Sequence, residues 1–169
     1  GHWTWWYNNG TKESEGNYTS GEQDGSWLYY TDNEVIAEEV SFKMGERHGR
    51  SAKWLNTEEK EWEKFFKNGK LDGPSTYWSN GYRMTMTSYK NDIPEGPWVI
   101  WYPNDIQIKE QGFNLNGKRS GLTTYWYSDS VKQKEGYYSN GKPDAVWSYW
   151  NTRGEKDFDF DFGKNLEQI

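Results

Sequence analysis

Six acidic side chains recur at one phase of a spacing close to 24 residues: Glu15, Glu39, Glu63, Glu110, Glu135 and Asp159, with Met86 in the remaining place. Carboxylates in such number could perform general acid–base chemistry, hold a cation, or recognise a basic partner. The first use requires two carboxyls in unlike environments. A repeated phase gives them like ones, so a glycosidase-type pair is not expected. His2 and His48 are the only histidines, neither has a nucleophile-elbow pattern beside it, and cysteine is absent. The reading is non-enzymatic, with no catalytic residue, cofactor or metal site assigned.

Two local motifs fail on their details. "GFNLNGKR" at 112–119 spells Gly-x-x-x-x-Gly-Lys, but Arg119 stands where a phosphate loop needs Ser or Thr, and a turn falls there instead of a helix start. "DFDFDFGKNLEQ" at 157–168 spaces carboxylates like a calcium loop, but Gly163 is one place late and Gln168 replaces the closing acid. Its alternation reads as a charged terminal strand. Asp157, Asp159 and Asp161 would project from one face, and Phe158, Phe160 and Phe162 would cover the end of the core.

The elements that must position the acids are set by a repeat. Gly25, Gly49, Gly73, Gly96 and Gly121 are separated by 24, 24, 23 and 25 residues, and Gly1 and Ala145 extend the series at both ends. Five residues after each anchor stands an aromatic: Trp6, Tyr30, Trp54, Trp78, Trp101, Trp126 and Trp150. A second aromatic follows near the seventeenth residue: Tyr18, Phe42, Phe66, Tyr89, Phe113, Tyr138 and Phe162. Between the two lies one turn (Asn9-Gly10, Asn33-Glu34, Thr57-Glu58, Asn80-Gly81, Asn104-Asp105, Asp129-Ser130, Arg153-Gly154). Between units lies another (Ser20-Gly21, Met44-Gly45, Asn68-Gly69, Asn91-Asp92, Asn116-Gly117, Asn140-Gly141). Asn-Gly pairs accept the positive φ of two-residue hairpin turns, and strand-forming runs flank each pair, so each unit is read as a β-hairpin. The extra residue of the 25-residue unit is placed near Asn114–Asn116.

Composition agrees with strands: 33% of the 169 residues are hydrophobic, but 12 are Trp and 13 are Tyr. Such rings can build a thin core where aliphatics are few. The expected fold is all-β, an elongated single-sheet meander of about seven stacked antiparallel hairpins forming one domain over 1–169. The units run near 1–20, 21–44, 45–68, 69–91, 92–116, 117–140 and 141–163. Stacking lets each hairpin bury an aromatic face it could not bury alone. The core is expected in the aromatics five and seventeen residues after the anchors. The formal charge of −6 disfavours nucleic acid and favours a basic partner. No apolar run approaches the roughly 18 residues of a membrane span, so no membrane insertion is expected. The chain begins without Met, as a trimmed or processed chain would.

A further column lies two and four residues after the anchors: Trp3 and Trp5, Trp27 and Tyr29, Tyr77, Trp98, Tyr125, Trp147 and Tyr149. These aromatics either fill a second side of the core or, with the acids, form a recognition surface. The acids either bond neighbouring backbone and Lys groups or face a partner.

"NGKLDGPSTYWSNG" at 68–81 and "NGKRSGLTTYWYSDSVKQKEGYYSNG" at 116–141 resemble the bacterial variant of the MORN repeat. The resemblance spans essentially the whole chain, with the units at 45 and 92 the most degenerate. It implies a hairpin meander with a protein-binding or scaffold role. It also implies an immunity- or antitoxin-like protein as the specific form of that role. The alternative is a cell-surface carbohydrate-binding or adhesin module that uses exposed Trp and Tyr.

Overall fold

The turns dictate the architecture. At the inter-unit positions Ser20, Met44, Asn68, Asn116 and Asn140 take φ near +50° and the following glycines φ of 76° to 88°. Two successive positive φ values form the type I′ turn whose twist matches that of paired strands. Among the described residues fourteen strands accordingly form one open antiparallel sheet in the order of the sequence. The computed structural model describes residues 1–103 and 106–165. The expected turn at Asn104-Asp105 lies outside the described residues, as does Gln168.

The chain divides into two compact units, Gly1–Gly81 with Tyr89–Asp92, and Tyr82–Ser88 with the residues from Ile93 onward. The first holds β1 (His2–Trp6), β2 (Lys12–Thr19), β3 (Glu22–Tyr30), β4 (Ile36–Lys43), β5 (Glu46–Trp54), β6 (Lys60–Lys67) and β7 (Lys70–Ser79). Strand β8 (Tyr82–Lys90) is divided between the two. The second holds β9 (Ile93–Trp101), β10 (Ile108–Leu115), β11 (Lys118–Trp126), β12 (Lys132–Ser139), β13 (Lys142–Trp150) and β14 (Lys156–Asp161). One short helix, α1 (Phe162–Asn165), follows β14.

Period-two alternation gives the sheet two faces. On what we call the front face of the first unit Trp27 is only 2% exposed, beside buried Val40, Ser51 and Ser75; on the matching face of the second unit Trp98 and Trp147 are 5% and 2% exposed, beside buried Thr123. The deepest core is therefore the column two residues after the anchors. This corrects the expected core. Of the aromatics five residues after the anchors, Trp6 is 59% exposed and the others are half-buried. They also stand on the back face, an odd number of positions from the Trp27 column. The second aromatics do reach the front core: Tyr18 and Phe42 meet the Trp27 ring at 5.1 and 6.4 Å, and Tyr138 and Phe162 meet Trp147 at 5.2 and 5.9 Å.

Trp27 lies flat on Gly16, where a Cβ would come within 2.4 Å of its ring, and its indole N–H donates to the Asn17 carbonyl at 3.1 Å. Trp147 repeats this on Gly136 and the Tyr137 carbonyl, also at 3.1 Å. The anchors have a different task. Gly73 has φ 126° and Ala145 φ 55°, so the column marks the bulged position of each first strand and not a close ring approach.

The 25-residue unit gains its extra residue in a different place from the one expected. The Tyr102 amide donates to the Gln107 carbonyl, five residues on, whereas Tyr7, Leu55 and Tyr127 donate to residues four on. The insertion thus precedes β10. Glu110 consequently pairs with Ile100 and Tyr125 on the front face, and Gln111 with Val99 and Thr124 on the back. Asn114 faces Gly96 as Phe42 faces Gly25. Glu110 and Phe113 therefore leave the columns that counting assigned them, because one residue of slip exchanges faces.

Candidate functional site

On the back face Glu15, Glu39 and Glu63 stand opposite Leu28, Ala52 and Thr76 in the first unit. Glu135 and Asp159 stand opposite Thr124 and Ser148 in the second. Tyr29, Tyr77, Tyr125 and Tyr149 lie on the front face with Trp27, Trp98 and Trp147. The acids and the aromatics do not form one surface, and Glu110 alone joins the aromatic side. Tyr77 is 42% exposed, Tyr29, Tyr125 and Tyr149 are half-buried, and the three tryptophans are interior.

Most of the acids carry their own cation. Lys12, Lys60, Lys132 and Lys156, each three residues before its acid, reach Glu15, Glu63, Glu135 and Asp159 at 3.0, 2.8, 2.8 and 2.8 Å. Three of these ammonium groups also cap the aromatic of the next hairpin: Lys12 over Tyr30 at 5.3 Å, Lys60 over Trp78 and Lys132 over Trp150 at 4.9 Å. Each set is a small lattice of carboxylate, ammonium and ring, and each exposed ion pair contributes about 0 to 1 kcal/mol. Tyr30 donates to Glu15, and this bond, with Lys12, holds the Glu15 carboxyl below its ordinary range. Burial, then Glu15, pushes the Tyr30 phenol up to about 12. Burial raises the Glu63 carboxyl, but Lys60 and Arg50 outweigh it and leave it lowered.

Glu39 departs from this pattern. The lysine position before it is Ile36, 40% exposed. Arg50 bridges Glu39 and Glu63 at 2.7 and 2.8 Å, and Ser26 donates to Glu39 at 3.3 Å. A pocket of about 550 Å³ opens here, lined by Leu28, Val35, Ile36 and Trp54 with Glu34 and Glu39 at its wall.

The front face of the second unit carries a cluster that counting did not single out. The Arg119 guanidinium lies 4.3 Å over Trp98 and 5.7 Å over Tyr138, donates to the Tyr125 hydroxyl at 2.8 Å and to Glu110 at 3.4 Å. Burial and Tyr138 raise the Tyr125 phenol well above its usual range. At the start of the chain Trp3 and Trp5, 57% and 36% exposed, stack at 6.1 Å and border a pocket of about 440 Å³ with Tyr18. Residues 112–119 form the hairpin β10–β11, not a loop opening a helix. Among the described residues no group of three or more His, Asp or Glu could hold a metal ion, and no helix is long and apolar enough to cross a membrane.

The lysines stand eleven residues after the anchors, so the same count that found the acids could have found them. The Glu39 pocket lies where Ile36 interrupts that column while the acid is kept. A family model described as MORN repeat variant matches residues 1–19 and 23–44, which cover β1 through β4. No curated protein matches the chain. The match is confined to the first two hairpins, about a quarter of the chain.

Proposed function

We propose that the chain is a non-enzymatic, protein-binding repeat module that takes a basic protein on the back face of its sheet. The observation that carries this reading is a row of exposed apolar side chains on that face in the second unit. Phe113, Leu122, Tyr137 and Val146 are 43%, 47%, 55% and 47% exposed on four successive strands, with Pro97 beside Phe113. At about 4.8 Å per strand the row spans roughly 15 Å, the scale of a protein–protein contact core. The corresponding places in β2 to β5 hold Asn17, Ser26, Ser41 and Arg50. Charge supports a basic partner: the chain holds 20 Lys and Arg against 26 Asp and Glu. An immunity- or antitoxin-like inhibitor of a basic toxin domain is one form this role takes. Trp3, Trp5 and Tyr18 favour a second reading, a glycan platform.

The test is selection of displayed peptides on the full chain in parallel with a glycan array. Basic peptides with apolar residues are expected, with enrichment lost in Phe113→Ser/Leu122→Ser. Glycan binding that disappears with Trp3→Ala, and no basic enrichment, would overturn the protein reading.

A further inference from the structure

We infer that the Glu39 pocket is a receptor for one lysine side chain of a partner, an inference that rests on the protein-binding reading above. Three hairpins build this site and fill it themselves. In each, an ammonium group eleven residues after the anchor meets a carboxylate three residues on and lies over the aromatic of the following hairpin. The sets are Lys12 with Glu15 and Tyr30, Lys60 with Glu63 and Trp78, and Lys132 with Glu135 and Trp150.

The second hairpin keeps the carboxylate, Glu39, and the third keeps the ring, Trp54, but the cation position is Ile36. Among the described residues no cation lies over Trp54. At Met86 the acid is absent but the cation position three residues earlier keeps Arg83, which lies 4.9 Å over Trp101 of the next hairpin; at Gln111 both acid and cation are absent, the cation place being Ile108. Glu39 is therefore the one acid of its row that keeps its carboxylate without the matching lysine.

The shape fits the missing group. Leu28, Val35 and Ile36 line the pocket as an aliphatic stem would require, Trp54 offers a ring to an ammonium, and Glu34 adds a second carboxylate at the rim. Its volume of about 550 Å³ exceeds a single lysine side chain, so the partner's backbone can enter with it. Arg50 already occupies one Glu39 oxygen, at Oε2, and Ser26 donates to Oε1 only at 3.3 Å, which leaves Oε1 able to take a stronger donor. A lysine reaching from a partner would reproduce the lattice that the other hairpins make intramolecularly.

The experiment is an NMR titration of the full chain with Nα-acetyl-lysine methylamide, with the norleucine analogue as the uncharged control. The Trp54 indole N–H is expected to shift with the lysine compound, at least about tenfold more weakly with norleucine, and not at all in Ile36→Lys, whose own side chain fills the slot. Ile36→Met, which keeps the aliphatic wall, is expected to retain the response. Ile36→Lys should also raise the denaturant midpoint, which shows that the variant is folded. Equal responses to lysine and norleucine, or an unchanged lysine response in Ile36→Lys, would overturn the inference. Either result would leave the protein-binding reading standing if displayed basic peptides still bind. Loss of both peptide binding and the lysine response would sink the two together.

Discussion

At the scale of single residues, the tightest constraint is a missing side chain. Gly136 lies under Trp147 with room for no Cβ, which would fall 2.3 Å from the ring. Gly136→Ala is expected to cost about 1 to 3 kcal/mol through overpacking, measured by denaturant unfolding. Trp27→Ala should cost about 3 to 5 kcal/mol as a fully buried aromatic truncation, and Trp78→Ala clearly less, because Trp78 is half-buried. Equal losses at both positions would contradict the assignment of the core to the front face. The Glu15–Tyr30 pair makes a pH prediction. The folded Tyr30 phenol, near 12, lies above the ordinary value of 10. Its contribution is therefore complete below about pH 10 and disappears as pH rises toward 12. The unfolding midpoint should fall over that interval in the wild type and fall less in Tyr30→Phe.

At the scale of elements, much was legible and one register was not. Turn pairs such as Asn68-Gly69 and Asn140-Gly141 located the hairpins, because few residue pairs accept two positive φ values in succession. Alternation within one strand was legible, but it did not show which columns share a face across a hairpin, so the acids were grouped with aromatics of the opposite face; nor did it show which face packed more deeply. That depends on Gly16 and Gly136 receiving indole rings, a fit between strands that no single strand displays. The acid column was read correctly in five hairpins and misread at Glu110, since the extra residue could be placed before or after β10 without changing the count. The structure suggests that Gly112, facing Trp98, pins this register and that loop length does not. Deleting Pro103 should therefore shorten the turn and leave Gly112 opposite Trp98, as cross-strand Hα contacts would show. A Glu110 that moved opposite Val99 would refute this.

At the scale of the whole molecule, an open sheet with a thin core leaves much of both faces available to solvent. In the first unit the back face holds self-paired acids and one pocket where the pairing lysine is missing; in the second it holds an apolar row. These are the places proposed for partner binding. The front-face aromatics, which counting grouped with the acids, hold the fold together instead. The most direct measurement is the dissociation constant of the best selected basic peptide, at low and moderate salt, for three chains: the wild type, Glu34→Gln/Glu39→Gln and Glu110→Gln. Charge-assisted binding at the back face predicts at least about tenfold weaker binding and a flatter salt dependence for the double variant. Glu110→Gln, altered on the front face, should match the wild type. An unchanged affinity in the double variant, or an equal loss in Glu110→Gln, would contradict the account.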